Sequence, residues 1–152
     1  MMTGHAKTHL LGMSAMGAAL LLLGGAIVHA QGTDRTVWTG VYTTDQAERG
    51  KTAYAAQCAA CHGATLAGVD MSPPLVGSTF LNNWNGTSAG DLFDRIHSTM
   101  PQNNPGSLSG KTVSDIEAYL FQANGFPAGQ TALPPAQPMM ANVKILATKP
   151  GN

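Results

Sequence analysis

The sequence predicts an all-α fold, and two observations support this. Helix caps precede three segments in which apolar residues recur at helical spacing. No segment shows the alternation of apolar and polar residues that is typical of a strand. The chain has 152 residues, enough for one domain with tails. It is 43% hydrophobic with zero formal net charge, so extensive disorder is not expected. The balance of 8 basic and 8 acidic residues also argues against a nucleic-acid binder, which carries a clustered basic surface.

Residues 1–30 have the pattern of a secretory signal peptide. Lys7 lies in a basic start, Leu10–Val28 is apolar or small throughout, and Val28–Ala30 forms a cleavage site of the A-x-A type. We expect cleavage after Ala30 and export to the periplasm. The alternative is an uncleaved membrane anchor, because the apolar run is nearly as long as a membrane-spanning helix of about 20 residues. The glycines within the run weaken that alternative.

Residues 31–43 form a polar lead-in, and residues 44–126 are predicted to contain three main helices. The first helix carries Gly50 on its apolar face, where a glycine costs about 1 kcal/mol relative to alanine and indicates close approach by another helix. The second ends before Met100–Pro101, because proline disfavours a helical residue in front of it. The third ends near Asn124–Gly125. The predicted N-caps are Thr44 or Asp45, then Ser88, then Ser109 or Thr112.

Two segments show no helical periodicity. Gly63–Thr87 is rich in Gly, Pro and Asn, and so long a stretch without secondary structure is expected only where it wraps something. Residues 127–152 are a Pro- and Ala-rich tail, either docked or loose. Three helices make a thin core for independent stability, so another component should fill it.

Cys58-Ala59-Ala60-Cys61-His62 falls at the end of the first predicted helix. Two thiols at i and i+3 can each add to one vinyl group of a haem, and the adjacent histidine then lies over the iron. This C-x-x-C-H pattern in an exported chain predicts one covalently attached haem c. The alternatives are a disulfide across the two cysteines and a zinc half-site. Zinc needs more ligands, and beyond residue 30 the sequence offers only His97 and no further cysteine.

Around this motif, the segment 41–126 resembles the small mono-haem class I cytochromes c. Gly50 and Tyr54 are similar to the residues with which the family's N-terminal helix crosses its C-terminal helix, here at Tyr119 and Leu120. The resemblance implies a small cytochrome c fold, with long loops and helices wrapped around the haem.

The resemblance also implies residues on both sides of the iron. Pro73-Pro74-Leu75 resembles the family's proline loop, where a proline carbonyl accepts a hydrogen bond from the ligand imidazole. Pro73 is favoured for this role, and Pro74 stays possible. Met100–Pro101 resembles the loop that carries the methionine ligand, so the expected iron ligands are His62 and Met100. The other candidates for the second position are His97 as runner-up, Met71, Met139 and Met140.

Apolar and aromatic side chains are expected around the haem. Trp84 is expected at the haem edge, with its indole N–H on a propionate or a backbone oxygen; the alternative is a buried loop anchor without that bond. Leu66, Val69 and Met71 are expected on the exposed surface beside that edge. The expected pocket lining comprises Leu75, Phe80, Leu92, Phe93, Ile96 and Leu120.

Three stretches, at 38–42, 80–86 and 124–127, resemble the cytochromes that accompany bacterial PQQ-dependent quinoprotein dehydrogenases. This implies a periplasmic electron carrier that is not itself an enzyme. Its donor would be such a dehydrogenase, and its acceptor a downstream cytochrome or a terminal oxidase. Membrane contact would arise only through an uncleaved N-terminus. The alternatives are a haem enzyme or gas-binding sensor with a labile sixth ligand, and a cytochrome subunit fixed to one enzyme.

Overall fold

Residues 35–151 are described by a computed structural model and contain helices but no β-strand. The chain divides into two units, Met1–Gln31 and Gly32–Asn152, and all the described residues belong to the second. The predicted signal peptide lies outside them. Among the described residues no helix is long and apolar enough to span a bilayer. Residues 35–151 form five α-helices: α1 (Thr44–Gln57), α2 (Ala59–His62), α3 (Gly77–Trp84), α4 (Ala89–Thr99) and α5 (Gly110–Ala123). Short 3-10 turns occupy Val37–Thr39 and Gln137–Met140.

The first predicted helix is interrupted at Cys58, the first residue of the haem motif. Its N-cap is Thr43, one residue before the earlier of the two predicted caps. The Thr43 side chain accepts a hydrogen bond from Gln46 N. At Cys58 the backbone leaves helical geometry, and α2 then forms a separate short turn. The motif therefore lies on its own turn, joined to α1 through the Cys58 N–H bond to Tyr54 O.

The crossing of α1 and α5 is confirmed. A Cβ atom at Gly50 would fall on the carbonyl oxygen of Asp115, so only glycine allows the two backbones to approach this closely. Tyr54 and Tyr119 pack with ring centroids 5.4 Å apart. The Asp115 carboxylate accepts hydrogen bonds from Arg49 and Lys111 at the same crossing. Burial tends to raise the pKa of Asp115, but these two cations hold it below its ordinary value.

Helix α3 was not predicted; the expectation of no helix within Gly63–Thr87 is wrong. The N-cap residue of this helix is Val76, and no side-chain capping hydrogen bond forms there. Instead the N–H of Gly77 donates to Oδ1 of Asn124 at 3.0 Å, from the far end of α5. Because the cap comes from a distant residue, the local sequence carries no start signal.

Helices α4 and α5 follow their predicted caps. Ser88 and Asp91 form a reciprocal capping box, and α4 ends at Thr99, directly before Met100–Pro101. Ser109 caps α5 by accepting a hydrogen bond from Thr112 N.

Both flanking segments pack onto the helices, so the tail is docked. Lys144 exchanges backbone hydrogen bonds with the lead-in, through Val37 N and Arg35 O. Its neighbours pair with the turn before α4, through Ala89 N to Val143 O and Ile145 N to Thr87 O. These segments supply core residues that the sequence analysis did not count. Their fully buried apolar side chains include Val37, Val41, Leu133, Met140, Val143 and Ile145.

A second contact joins the lead-in to the end of α5. Trp38 packs edge-on against Phe126 with centroids 4.9 Å apart, and its indole N–H donates to Leu146 O. The Tyr42 hydroxyl donates to Phe126 O at 2.6 Å. Two of the three stretches with the narrower resemblance, 38–42 and 124–127, therefore form one packed cluster.

Candidate functional site

A cavity of about 780 Å³ lies among the helices and the loop between α2 and α3. Its volume is within the range of small-molecule and cofactor sites, which measure about 300–1,000 Å³. The six residues predicted to bind the cofactor all line this one cavity: Cys58, Cys61, His62, Pro73, Trp84 and Met100.

The two cysteines occupy one turn at the cavity wall. Cys58 is half-buried and Cys61 is exposed, and their thiols are not joined. Burial, and then the neighbouring Cys61, raises the pKa of the Cys58 thiol to about 11. In residues 35–151 no group of three or more His, Cys, Asp or Glu side chains could hold a metal ion. These residues therefore offer no additional ligands for the zinc site considered as an alternative.

The imidazole of His62 is almost fully buried, at 9% exposure, and is oriented by one contact. Its Nδ1 lies 3.0 Å from the carbonyl oxygen of Pro73, which can only accept. The ring is therefore the tautomer that donates from Nδ1, which leaves the lone pair of Nε2 free for a metal. The contact involves Pro73 and not Pro74.

The turn that carries His62 is fixed from α1. The Tyr54 hydroxyl donates to Gly63 O at 2.7 Å, directly after the histidine. Burial raises the pKa of Tyr54 to about 12, so this hydroxyl keeps its proton.

Two methionines line the cavity. Met100 is half-buried, whereas Met71 is 96% exposed and lies where the cavity opens to solvent. Met139 and Met140 belong to the tail and do not line the cavity, although Met140 is fully buried.

His97, the runner-up for the second axial position, also lies outside the cavity lining. Its ring stacks on Phe93 with centroids 5.6 Å apart. The predicted cavity position of Phe93 is wrong, because its ring end faces Gly110 at the start of α5. Helical spacing places Phe93 on the same face as Leu92 and Ile96, which do line the cavity, because it separates side-chain directions only coarsely.

The surface beside the cavity differs from the expectation at one residue. Leu66 is buried at 4% exposure and adopts positive φ. Val69 and Met71 are exposed as expected. The remaining predicted lining residues do line the cavity: Leu75, Phe80, Leu92, Ile96 and Leu120.

Two charged residues on the helices that line the cavity were missed. Arg95 lines it, although helical spacing places this residue on the polar side of α4; its long apolar stem can carry the guanidinium to the cavity edge. Glu117 is fully buried on α5 and follows Ile116, which lines the cavity. Neither carboxylate oxygen of Glu117 has a hydrogen-bond partner among the described residues, and burial raises its pKa well above the ordinary value. The pattern of polar and apolar residues in this part of the sequence does not indicate that Glu117 is buried.

These residues fit a haem bound through two thioether bonds. The cavity combines two thiols one helical turn apart, an imidazole with a free Nε2, a thioether and an otherwise largely apolar lining. Arg95 supplies a cation for the carboxylate groups that a haem carries.

Comparison with known proteins agrees with this chemistry. The family model described as cytochrome c oxidase, cbb3-type, subunit III matches residues 45–120, half of the chain. A solved structure, the sulfane dehydrogenase SoxCD from Paracoccus pantotrophus, aligns at 24% identity with a TM-score of 0.43. That alignment covers 59% of this chain and 53% of the solved chain, so this chain spans about half of it. None of the curated proteins matches.

Proposed function

The chain belongs to the cytochrome c family, whose members transfer electrons through a covalently bound haem c, and from this premise we propose that it is a mono-haem carrier with His62 and Met100 as iron ligands. The observation that carries the proposal is the hydrogen bond between His62 Nδ1 and Pro73 O at the wall of a cavity that both cysteines and Met100 also line. When bound, the haem iron supplies the one-electron couple.

The residues on the histidine side prepare the imidazole for the iron. Donation from Nδ1 to a carbonyl fixes the tautomer and the ring orientation and makes Nε2 more basic. Cys58 and Cys61 lie on the turn that ends in His62, so thioether bonds from them would hold the cofactor next to this ring.

Met100 supports the second axial position better than the other candidates. It lines the cavity and is half-buried, whereas Met71 is almost fully exposed and belongs to the loop that already supplies Pro73. A thioether ligand raises the reduction potential, which suits an acceptor of electrons from a substrate-oxidising enzyme. If His62 and Met100 both bind the iron, these two side chains would leave no open site for oxygen or peroxide.

The rest of the lining controls water and charge. Apolar side chains from α3, α4 and α5 would exclude water from the faces of a bound haem, and this would strengthen electrostatic interactions there. Arg95 and the indole of Trp84 are the proposed partners of the haem propionates.

We propose that the partners are a periplasmic dehydrogenase, as in quinoprotein systems, and a downstream cytochrome or terminal oxidase. The signal-peptide pattern of residues 1–30 supports export. Val69 and Met71, exposed beside the cavity, support a small apolar contact surface of the kind that transient redox partners use.

Extraction of the haem with acid–acetone tests the attachment. Haem should stay with the denatured polypeptide of the wild type, because two thioether bonds hold it. Cys58→Ala and Cys61→Ala should each leave one bond, and the double variant should release the haem. Complete extraction from the wild type would contradict the proposal.

The reduced wild-type protein is then exposed to carbon monoxide. An unchanged visible spectrum is expected for a carrier with two axial ligands. Rapid binding would favour the alternative, a haem enzyme or gas sensor with a labile sixth position.

A further inference from the structure

The segment Gly63–Val76, here called the proline loop, presents the carbonyl of Pro73 to His62 and closes tightly on itself. Gly68 N donates to His62 O at 2.9 Å, and Leu75 N donates to Leu66 O at 2.8 Å. A Cβ atom on Gly68 would lie 3.0 Å or less from backbone atoms of Ser72, Pro73 and Pro74. The two arms of the loop are therefore in van der Waals contact where the Pro73 carbonyl is set.

The loop is weakly anchored at the prolines themselves. Pro73 and Pro74 have no N–H, so this part of the backbone can donate no hydrogen bond. The position of the Pro73 carbonyl must therefore be fixed by its neighbours. On the C-terminal side the nearest backbone groups that form hydrogen bonds belong to Leu75 and Gly77.

Both of those residues are held by one side chain, Asn124, the C-cap of α5. Its Nδ2 donates to Leu75 O at 3.0 Å and to Leu120 O at 2.8 Å, and its Oδ1 accepts from Gly77 N at 3.0 Å. Three of the four hydrogen bonds that an asparagine amide can form are thus made, two of them to a segment 47–49 residues away in sequence.

This amide connects the proline loop to the frame that also carries His62. Helix α5 crosses α1 at Gly50, and α1 leads directly into the turn with the histidine. The imidazole and the carbonyl that it contacts are therefore positioned from the same helix pair, the first through α1 and the second through Asn124.

We infer that Asn124 is a positioning residue, which holds Pro73 O against His62 Nδ1 and thereby lowers the reduction potential of the haem. The inference rests on the proposed role of His62 as a ligand. A strong hydrogen bond from Nδ1 makes the imidazole a better donor to the oxidised iron, and loosening that bond favours the reduced state.

The test compares two asparagines in the holoprotein. Asn124→Ala removes the anchor of the proline loop. Asn85→Ala is the matched control: Asn85 is the C-cap of α3, and its Oδ1 accepts from Ala147 N at 2.9 Å, in the tail. Asn124→Ser, a milder change with a hydroxyl too short to span the same gap, is measured alongside in case the alanine variant does not accumulate.

The first readout is the midpoint potential, and the second is the hydrogen-exchange rate of the His62 Nδ1 proton in the reduced protein, followed by NMR. We expect both Asn124 variants to raise the equilibrium constant for reduction by about threefold or more and to speed the exchange by about tenfold. Asn85→Ala should change neither, even where it lowers the melting temperature.

A loss of melting temperature in the Asn124 variants with potential and exchange unchanged would overturn the inference, because Asn124 would then be only a helix cap. Failure of the proposed function looks different. It would appear in the wild type itself, as haem that extracts completely or as an Nδ1 proton that belongs to an unligated histidine.

Discussion

The proline loop beside His62 is tied to distant parts of the chain, whereas the segment after Met100 is held by contacts within itself. The loop accepts a hydrogen bond from Asn124 at Leu75 O and is closed by the bond from Leu75 N to Leu66 O. The backbone bonds of residues 100–107 reach no further than four residues, as in Met100 N to Ile96 O and Asn104 N to Pro101 O. Residues 102–107 are exposed.

This difference indicates that the two sides of the cavity respond differently to perturbation. Displacing the proline loop breaks contacts with α5 and so affects the folded core. Displacing the methionine segment breaks local turns, which open at low cost in free energy. We expect the histidine side to be the rigid reference and the methionine side to change first.

Two glycines with similar backbone angles provide the largest expected contrast. Gly68 has φ +79° and Gly106 has φ +76°, one in each segment. Gly68→Ala places a Cβ against Ser72 O and Pro74 N, whereas nothing lies within 4 Å of a Cβ at Gly106. The free energy of unfolding should fall by about 2–5 kcal/mol for Gly68→Ala and by about 1–2 kcal/mol for Gly106→Ala, as measured by denaturant titration of the holoprotein. Equal losses would remove the distinction between the two segments.

Glu117 tests α5, the helix that anchors the proline loop. Burial raises the pKa of Glu117 in the folded protein above the ordinary 4.5. Its contribution to the free energy of unfolding is therefore fully present below about pH 4.5 and is lost as pH rises towards the folded pKa. Within that window the free energy of unfolding should fall by about 1.4 kcal/mol per pH unit relative to Glu117→Gln.

Denaturant titrations of both proteins between pH 5 and 8 measure this slope. The difference between Glu117→Gln and the wild type should widen as pH rises, until the folded pKa of Glu117 is reached. Parallel pH profiles would show that Glu117 is ionised in the folded protein, contrary to its burial without a hydrogen-bond partner.

The smallest expected effect concerns the surface between the two segments. Of the basic residues in the described part of the chain, only Arg95 lines the cavity; the others are Arg35, Arg49, Lys51, Lys111, Lys144 and Lys149. Without a basic cluster at this surface, electron transfer from a quinoprotein dehydrogenase should change only a few-fold between about 0.01 and 0.15 M salt, as the screening length falls from ~30 to ~8 Å. Stopped-flow reduction measures it, and a hundredfold fall would reveal a charged docking patch.

The sequence predicted best where the signal is local. The caps at Ser88 and Ser109 and the close approach at Gly50 were predicted correctly, because each depends on its own residue type and a few neighbours. The local motif at Cys58–His62 lies within the residues 45–120 that match the family.

The parts that escaped prediction depend on long-range contacts. Helix α3 takes its cap from Asn124, and the tail is docked through backbone bonds of Lys144 that no residue type announces. The inward turn of Leu66 and the burial of Glu117 likewise depend on the final packing.

The iron-ligand assignment is tested most directly by comparing the visible spectra of Met100→Ala and Met71→Leu. Met71 is the other methionine that lines the cavity. Met100→Ala should lose the methionine-to-iron charge-transfer absorption of the oxidised protein and bind carbon monoxide when reduced. Met71→Leu should keep the absorption and exclude carbon monoxide. A wild-type spectrum for Met100→Ala, or loss of the absorption in Met71→Leu, would contradict the assignment of His62 and Met100 as the iron ligands.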